Sequence, residues 1–225
     1  MKSLAIKTAN KFNVNGTHPV VQDGVEVGSI SVDDPADIFV ERTQFNVYNA
    51  IYNEVVNENI LVTNADDVVE TYDEYRVPNS FKIFYSEQRH LLIAAAPSQV
   101  SKPFFKALQS QYPDEIALSP YNFQISQLIE RLDIKTSVTF TVDEDGVQRK
   151  RFSGDAVIDN NEAATAVENG NATFLIGKAD LLGRERTLGF NVAGSLLIYS
   201  NPSDIDQTYP FLNISLAALD ELVNA

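Results

Sequence analysis

The chain has 225 residues, of which 44% are apolar and 10% aromatic, and its formal net charge is −14. This length and apolar content suffice for one large domain or two small lobes with a buried core. The absence of cysteine excludes disulfides and thiolate metal sites. The longest apolar run, residues 91–97, is too short to span a bilayer. Since the N-terminus lacks the apolar stretch of a secretory signal, we expect a cytoplasmic protein with no membrane partner.

The negative charge is concentrated in the first third of the sequence. Residues 12–75 hold 13 acidic side chains and one basic side chain, Arg42, so this segment carries −12. The remaining residues hold 18 acidic and 16 basic side chains and carry only −2. Two interpretations stay open. The segment is a solvated surface that favours solubility, or it is shaped for a basic partner.

The N-terminal third is predicted to contain strands followed by two helices. Alternating apolar residues near Leu4 and across 25–32 indicate half-buried strands, with a bulge where the phase shifts at Gly28-Ser29. Asp34-Pro35 resembles a helix start, and apolar residues follow at helical spacing from Ile38 to Val56.

A second capping signal, residues 63–66, predicts another helix in the acidic segment. On this helix Val68, Val69 and Tyr72 would share one face. The other face would carry the five acids that we predict to bind a partner, Asp66, Asp67, Glu70, Asp73 and Glu74. A turn at residues 76–80 would then separate an acidic N-terminal lobe, 1–79, from a C-terminal α+β lobe, 80–225.

The C-terminal part mixes strands and helices without regular βαβ alternation. The patterns predict hairpins over 81–95 and 138–152, strands within 172–199, and helices near 101–112, 125–132, 162–167 and 216–223. The fold class is therefore α+β, a mainly antiparallel sheet with packed helices. The helix at 124–132 should pack on that sheet and bury its apolar residues, Ile125, Leu128, Ile129 and Leu132.

The sequence offers little for catalysis. It contains none of the HExxH, GxSxG, Walker A or GxGxxG motifs, and its two histidines, His18 and His90, stand in unrelated contexts. Asp114, Asp133 and Lys135 match the written form of a PD…DxK nuclease motif, but a predicted helix separates them, so we expect no Mg²⁺-dependent cleavage. We predict no catalytic residue, no metal site and no cofactor.

A second set of candidate residues is basic. Arg149, Lys150 and Arg151 lie on the return strand of a predicted hairpin, and Arg184 and Arg186 flank the start of another strand. On an open sheet face they could contact phosphates. We favour the alternative, in which they offset Asp143, Glu144 and Asp145 across the hairpin, because an acidic protein repels nucleic acid at long range.

We therefore expect a non-catalytic acidic interaction protein that engages a basic protein surface, such as a DNA-mimicking inhibitor or an adaptor of a nucleic-acid-binding protein. No single motif supports a source, but the general character is that of an accessory protein of a phage or another mobile element. One alternative is a protein that binds or processes nucleic acid through the basic strand, although an acidic chain repels nucleic acid at long range. The other is a self-assembling structural component, and a homo-oligomer is compatible with the sequence.

Overall fold

The computed structural model describes residues 1–224, which form one large antiparallel sheet flanked by helices. The strands are β1 (Lys2–Phe12), β2 (Thr17–Gln22), β3 (Val25–Val40), β4 (Thr43–Thr63), β5 (Val69–Ser86), β6 (Leu91–Ala94), β7 (Ile116–Pro120), β8 (Ile134–Glu144), β9 (Val147–Ser153), β10 (Ala172–Leu181), β11 (Arg184–Asn191) and β12 (Ser195–Ile198). The helices are α1 (Ser98–Gln111), α2 (Ile125–Arg131), α3 (Asn161–Glu168) and α4 (Pro210–Ala217), which continues as a π-helical segment, Ala218–Val223. The predicted α+β class with a mainly antiparallel sheet is confirmed. Within residues 1–224, no helix is long and apolar enough to cross a membrane.

The N-terminal strand β1 lies in the middle of the sheet and joins its two halves. The strand order is β2-β3-β4-β5-β6-β1-β12-β11-β10-β8-β9, and β7 pairs with the second half of β1. β1 pairs with β6 on one side and with β12 on the other. Its position explains why Leu4, Ala5 and Ile6 are all buried, although alternation predicted a half-buried strand.

Each face of the sheet has its own hydrophobic core. Leu4 and Ile6 point into a first core that also contains residues of α2, α3 and α4. Ala5 and Phe12 point to the opposite face, into a second core closed by α1. Since successive strand residues point to opposite faces, one strand supplies both cores.

The amphipathic helix α2 packs as its spacing predicts. Ile125, Leu128 and Leu132 are buried in the first core, and Ile129 is half-buried against it. The strands spanning 138–152 and 172–199 lie in the same sheet, next to this helix. The prediction for this helix and sheet is confirmed.

The helix predicted between Ile38 and Val56 is wrong, because these residues form parts of β3 and β4. Phe45 and Val47 enter the first core, whereas Tyr48, Ala50 and Tyr52 enter the second. The buried side chains thus change from one face to the other between Val47 and Tyr48, so the strand shows no single alternation. Its large side chains happened to recur at helical intervals.

The second predicted helix is also wrong, because residues 64–68 form the turn of a hairpin and β5 begins at Val69. The side-chain oxygen of Asn64 accepts hydrogen bonds from the backbone N–H groups of Asp66 and Val68, at 2.9 and 3.1 Å. The residues that predicted a helix cap therefore form an Asx-type turn instead. Residues 76–80 lie inside β5, so the predicted turn there is wrong as well. A division of the chain at 79/80 stays a prediction.

Candidate interaction site

The outer part of the β4–β5 hairpin, residues 53–79, leaves the body of the sheet as a two-stranded ribbon, here called the arm. Its strands pair from Asn53 with Pro78 to Thr63 with Val69. No residue of the arm is buried. β3 pairs with β4 only as far as Tyr52, and β6 pairs with β5 only from Ile83 onward. In the described chain both edges of the arm therefore lack a strand partner over about 35 Å, at roughly 3.3 Å per residue.

The arm keeps its register through paired side chains and one irregularity. Val56 lies opposite Tyr75, and Ile60 lies opposite Tyr72. Between these pairs β4 contains one more residue than β5, which is a bulge. Cross-strand apolar pairs of this kind stabilise a two-stranded ribbon, although such a ribbon is marginal alone in water.

The five acids predicted to bind a partner all lie on the arm, but they do not share a face. Asp66 and Asp67 are in the turn. Glu70 and Glu74 point to one face of the ribbon and Asp73 to the other, because successive strand residues alternate. The predicted separation of these acids from the apolar residues is wrong, since Tyr72 lies on the face of Glu70 and donates its hydroxyl proton to that carboxylate.

Tyr72 and Tyr75 of the arm both have a pKa above the ordinary value of a tyrosine. The hydrogen bond to Glu70 raises the pKa of Tyr72. Partial burial, then the charge of Glu58, raises the pKa of Tyr75, whose hydroxyl lies 3.3 Å from that carboxylate. With seven acidic side chains and one basic side chain, Arg76, the arm is strongly negative. It presents carboxylates and neutral hydroxyls together.

Apolar side chains are exposed on both faces of the arm. Val55, Val62 and Tyr72 are exposed on one face, and Leu61 and Val69 on the other. Leu61 is 73% exposed and Val69 is 59% exposed. Clustered exposed apolar residues are typical of a surface that another molecule covers.

The five basic candidates do not form one surface. Lys150 binds the carboxylates of Glu144, at 2.6 Å, and Glu162, at 2.5 Å, and the hydrogen bond to Glu144 is the main cause that raises its pKa. Its pairing with Glu144 is the cross-strand neutralisation that we expected as the alternative to phosphate contact. Arg149 and Arg151 are exposed on the other face of β9, where Arg151 Nε donates to the hydroxyl of Ser137 at 2.9 Å.

Arg186 is only 2% exposed and faces the first core rather than solvent. Both terminal nitrogens of its guanidinium bind the carboxylate of Asp204, which Arg184 also approaches at 3.4 Å. The hydrogen bond from Arg186 lowers the pKa of Asp204 to about 2. This pair fixes the loop after β12 to the sheet, so Arg186 is occupied by an internal partner.

Of the nuclease-like motif, Asp133 and Lys135 line one pocket at the start of β8, whereas Asp114 lies elsewhere in the fold. Asp114 follows α1, and its backbone carbonyl accepts a hydrogen bond from Lys11. Asp133 follows α2, and its carboxylate accepts from the N–H of Asp180 at 3.1 Å. Among residues 1–224 no three acidic or histidine side chains are grouped to hold a metal ion.

One charged feature was missed by the sequence analysis, a groove beside α1 here called the lysine groove. Lys7 of β1 and Lys102 and Lys106 of α1 line it, and it has a volume of about 530 Å³. Partial burial, then the charge of Lys102, lowers the pKa of Lys7. The spacing of Lys102 and Lys106 by four residues placed them on one helix face. Nothing in the sequence placed Lys7 beside them, since that contact depends on the tertiary fold.

No protein-family model matches this sequence, and no curated protein matches it.

Proposed function

We propose that the protein is a non-catalytic interaction protein that docks onto a basic partner surface through the arm. The observation that carries the proposal is the arm itself, a ribbon without one buried residue and, within residues 1–224, without a strand partner on either edge. Unpaired edges are templates for another chain, and natural proteins usually shorten or cover them. A long exposed edge is therefore best explained by a partner that covers it.

The charges and the apolar side chains of the arm have separate roles in this proposal. Exposed carboxylates such as Asp66 and Asp67 at the tip speed encounter with a basic surface and make binding sensitive to salt. Leu61, Val69 and their apolar neighbours contribute affinity when they are covered. A nucleic-acid-binding protein is one class of partner with a large basic surface, so an inhibitor or adaptor of such a protein is one specific form of the proposal.

A second candidate function is self-assembly into a structural component. The presence of exposed apolar side chains on both faces of the arm favours it, because an arm inserted between neighbouring copies would be covered on both faces. Direct nucleic-acid binding has less support. Three of its five candidate residues, Lys150, Arg184 and Arg186, are paired with carboxylates of the chain itself.

The test is a variant in which the five acids of the arm become amides (Asp66→Asn, Asp67→Asn, Glu70→Gln, Asp73→Asn and Glu74→Gln). We expect its fold to be unchanged, because all five side chains are exposed. Affinity for the native partner should fall, and its dependence on ionic strength should flatten. Each exposed pair contributes only about 0.2–1 kcal/mol, so the five changes are made together.

The matched control neutralises five exposed acids outside the arm, Asp143, Asp145, Asp159, Glu168 and Glu221. It changes the net charge by the same amount. Partners are first captured from a native extract with the unchanged protein, and their affinity and salt slope are then measured with all three proteins. An arm variant that binds with the affinity and salt slope of the unchanged protein contradicts the proposal.

A further inference from the structure

We propose that the partner surface is the lysine groove of a second copy of this chain, so that copies assemble by placing the arm of one into the groove of the next. This inference rests on the proposed function of the arm and names its partner.

The lysine groove combines positive charge with an apolar floor. Phe105, Ile116 and Leu118 line it together with the three lysines. Among residues 1–224, no carboxylate lies within ion-pair distance of Lys7, Lys102 or Lys106. The chain carries a net charge of −14, so three neighbouring lysines that have no carboxylate of their own chain as an ion-pair partner are unexpected. Their mutual repulsion is relieved when an anionic ligand binds.

The arm has the complementary chemistry. It carries seven acidic side chains and one basic side chain, interleaved with exposed apolar residues such as Leu61 and Val62. An acidic ribbon with apolar side chains matches a groove that has an apolar floor and a cationic rim. A small anion would use the lysines but leave the apolar floor uncovered, so the mixed character of the groove favours a polypeptide segment.

The geometry favours contact between copies over contact within one. The arm begins beside Tyr52, whose ring lies 6.2 Å from that of Phe104 in α1. From there the ribbon extends about 35 Å, which carries its acidic tip away from its own α1. Because arm and groove are different surfaces, each copy can donate an arm to one neighbour and accept one from another. Such a contact leads to a ring or a filament.

The test uses charge reversal on both sides of the contact in the full-length protein. The groove variant is Lys102→Glu with Lys106→Glu, and the arm variant is Glu70→Lys with Glu74→Lys, all at exposed positions. Sedimentation at low and high salt measures self-association. We expect the unchanged protein to associate and each double variant to associate at least about tenfold more weakly. A mixture of the two variants should recover association.

The control is Arg42→Glu with Arg149→Glu, which gives the same charge change at exposed sites outside the arm and the groove, and it should associate like the unchanged protein. Circular dichroism establishes whether each variant is folded. If the groove variant is unfolded, Lys102→Gln with Lys106→Gln is used in its place. A protein that is monomeric at all concentrations, or variants that do not complement each other, overturns this inference. A different result contradicts the proposed function, namely that the amide variant of the arm binds the captured partner with unchanged affinity and salt slope.

Discussion

Arg186 shows at the scale of one residue what the sequence contained and what it lacked. Arg186, Leu188 and Phe190 are alternate residues of β11, so their side chains lie on the same, buried face of the strand. The interpretation of Arg186 as a phosphate contact neglected that pattern. Asp204, the carboxylate that makes a buried arginine tolerable, follows 18 residues later in a loop, and no local rule connects the two.

The Arg186–Asp204 pair predicts how stability depends on acid. The pKa of Asp204 is lowered to about 2 in the folded protein, from its ordinary value of 3.8. Its carboxylate therefore stabilises the fold fully above about pH 4, and this contribution is lost as pH falls toward 2. Asp204→Asn should lower the thermal midpoint at neutral pH and flatten its decline between pH 4 and 2. Thermal unfolding across this range measures both, with exposed Asp206→Asn as the control. Equal slopes for Asp204→Asn and the unchanged protein would contradict the assignment.

At the scale of elements, the sequence was informative wherever one face of an element is solvated. The helix α2 and the β8–β9 hairpin followed their periodicity, because each has a buried and an exposed side. β4 did not, since its buried side chains change from one face to the other between Val47 and Tyr48, and its second half is buried on neither face. The bulge expected at the phase shift of Gly28 is present beside it, where Val20 pairs with Gly28 and Val21 with Glu26. A Cβ at Gly28 would lie 2.1 Å from the carbonyl oxygen of Ile51, so glycine is required there.

The packing of α2 leads to a prediction for its central contact. Leu128 is 1% exposed in the first core. Leu128→Ala removes buried methyl groups and leaves a cavity, so the free energy of unfolding should fall by about 2–5 kcal/mol. The neighbouring Gln127 is exposed, and Gln127→Ala should stay within about 0.5 kcal/mol of the unchanged protein. Urea unfolding of the two variants compares them directly. A loss below 1 kcal/mol for Leu128→Ala would show that α2 is not held by this core.

At the scale of the whole molecule, the body and the arm have different requirements. Both cores take residues from the first 79 positions and from the remainder of the chain, and neither takes one from the arm. The body therefore has both of its cores without the arm, whereas the described residues of the arm are held by their own cross-strand pairs. In the sequence, the only sign of this division is the concentration of acidic residues in the first third. The sequence could not show that the acidic segment leaves the sheet, because pairing between distant strands decides where β4 and β5 lose their neighbours.

This division predicts that the arm can be shortened without loss of the fold. Val55 pairs with Arg76, so replacing residues 55–76 by Asn-Gly joins Glu54 to Val77 through a two-residue hairpin turn. The thermal midpoint should stay within about 4 °C, the shift that roughly 1 kcal/mol causes in a chain of this size. Association through the arm should disappear at the same time, because the tip and the exposed apolar residues are gone. Calorimetry and sedimentation on one sample measure both outcomes. A shortened protein that unfolds far earlier would mean that the arm supports the body, and one that still associates would place the interaction surface elsewhere.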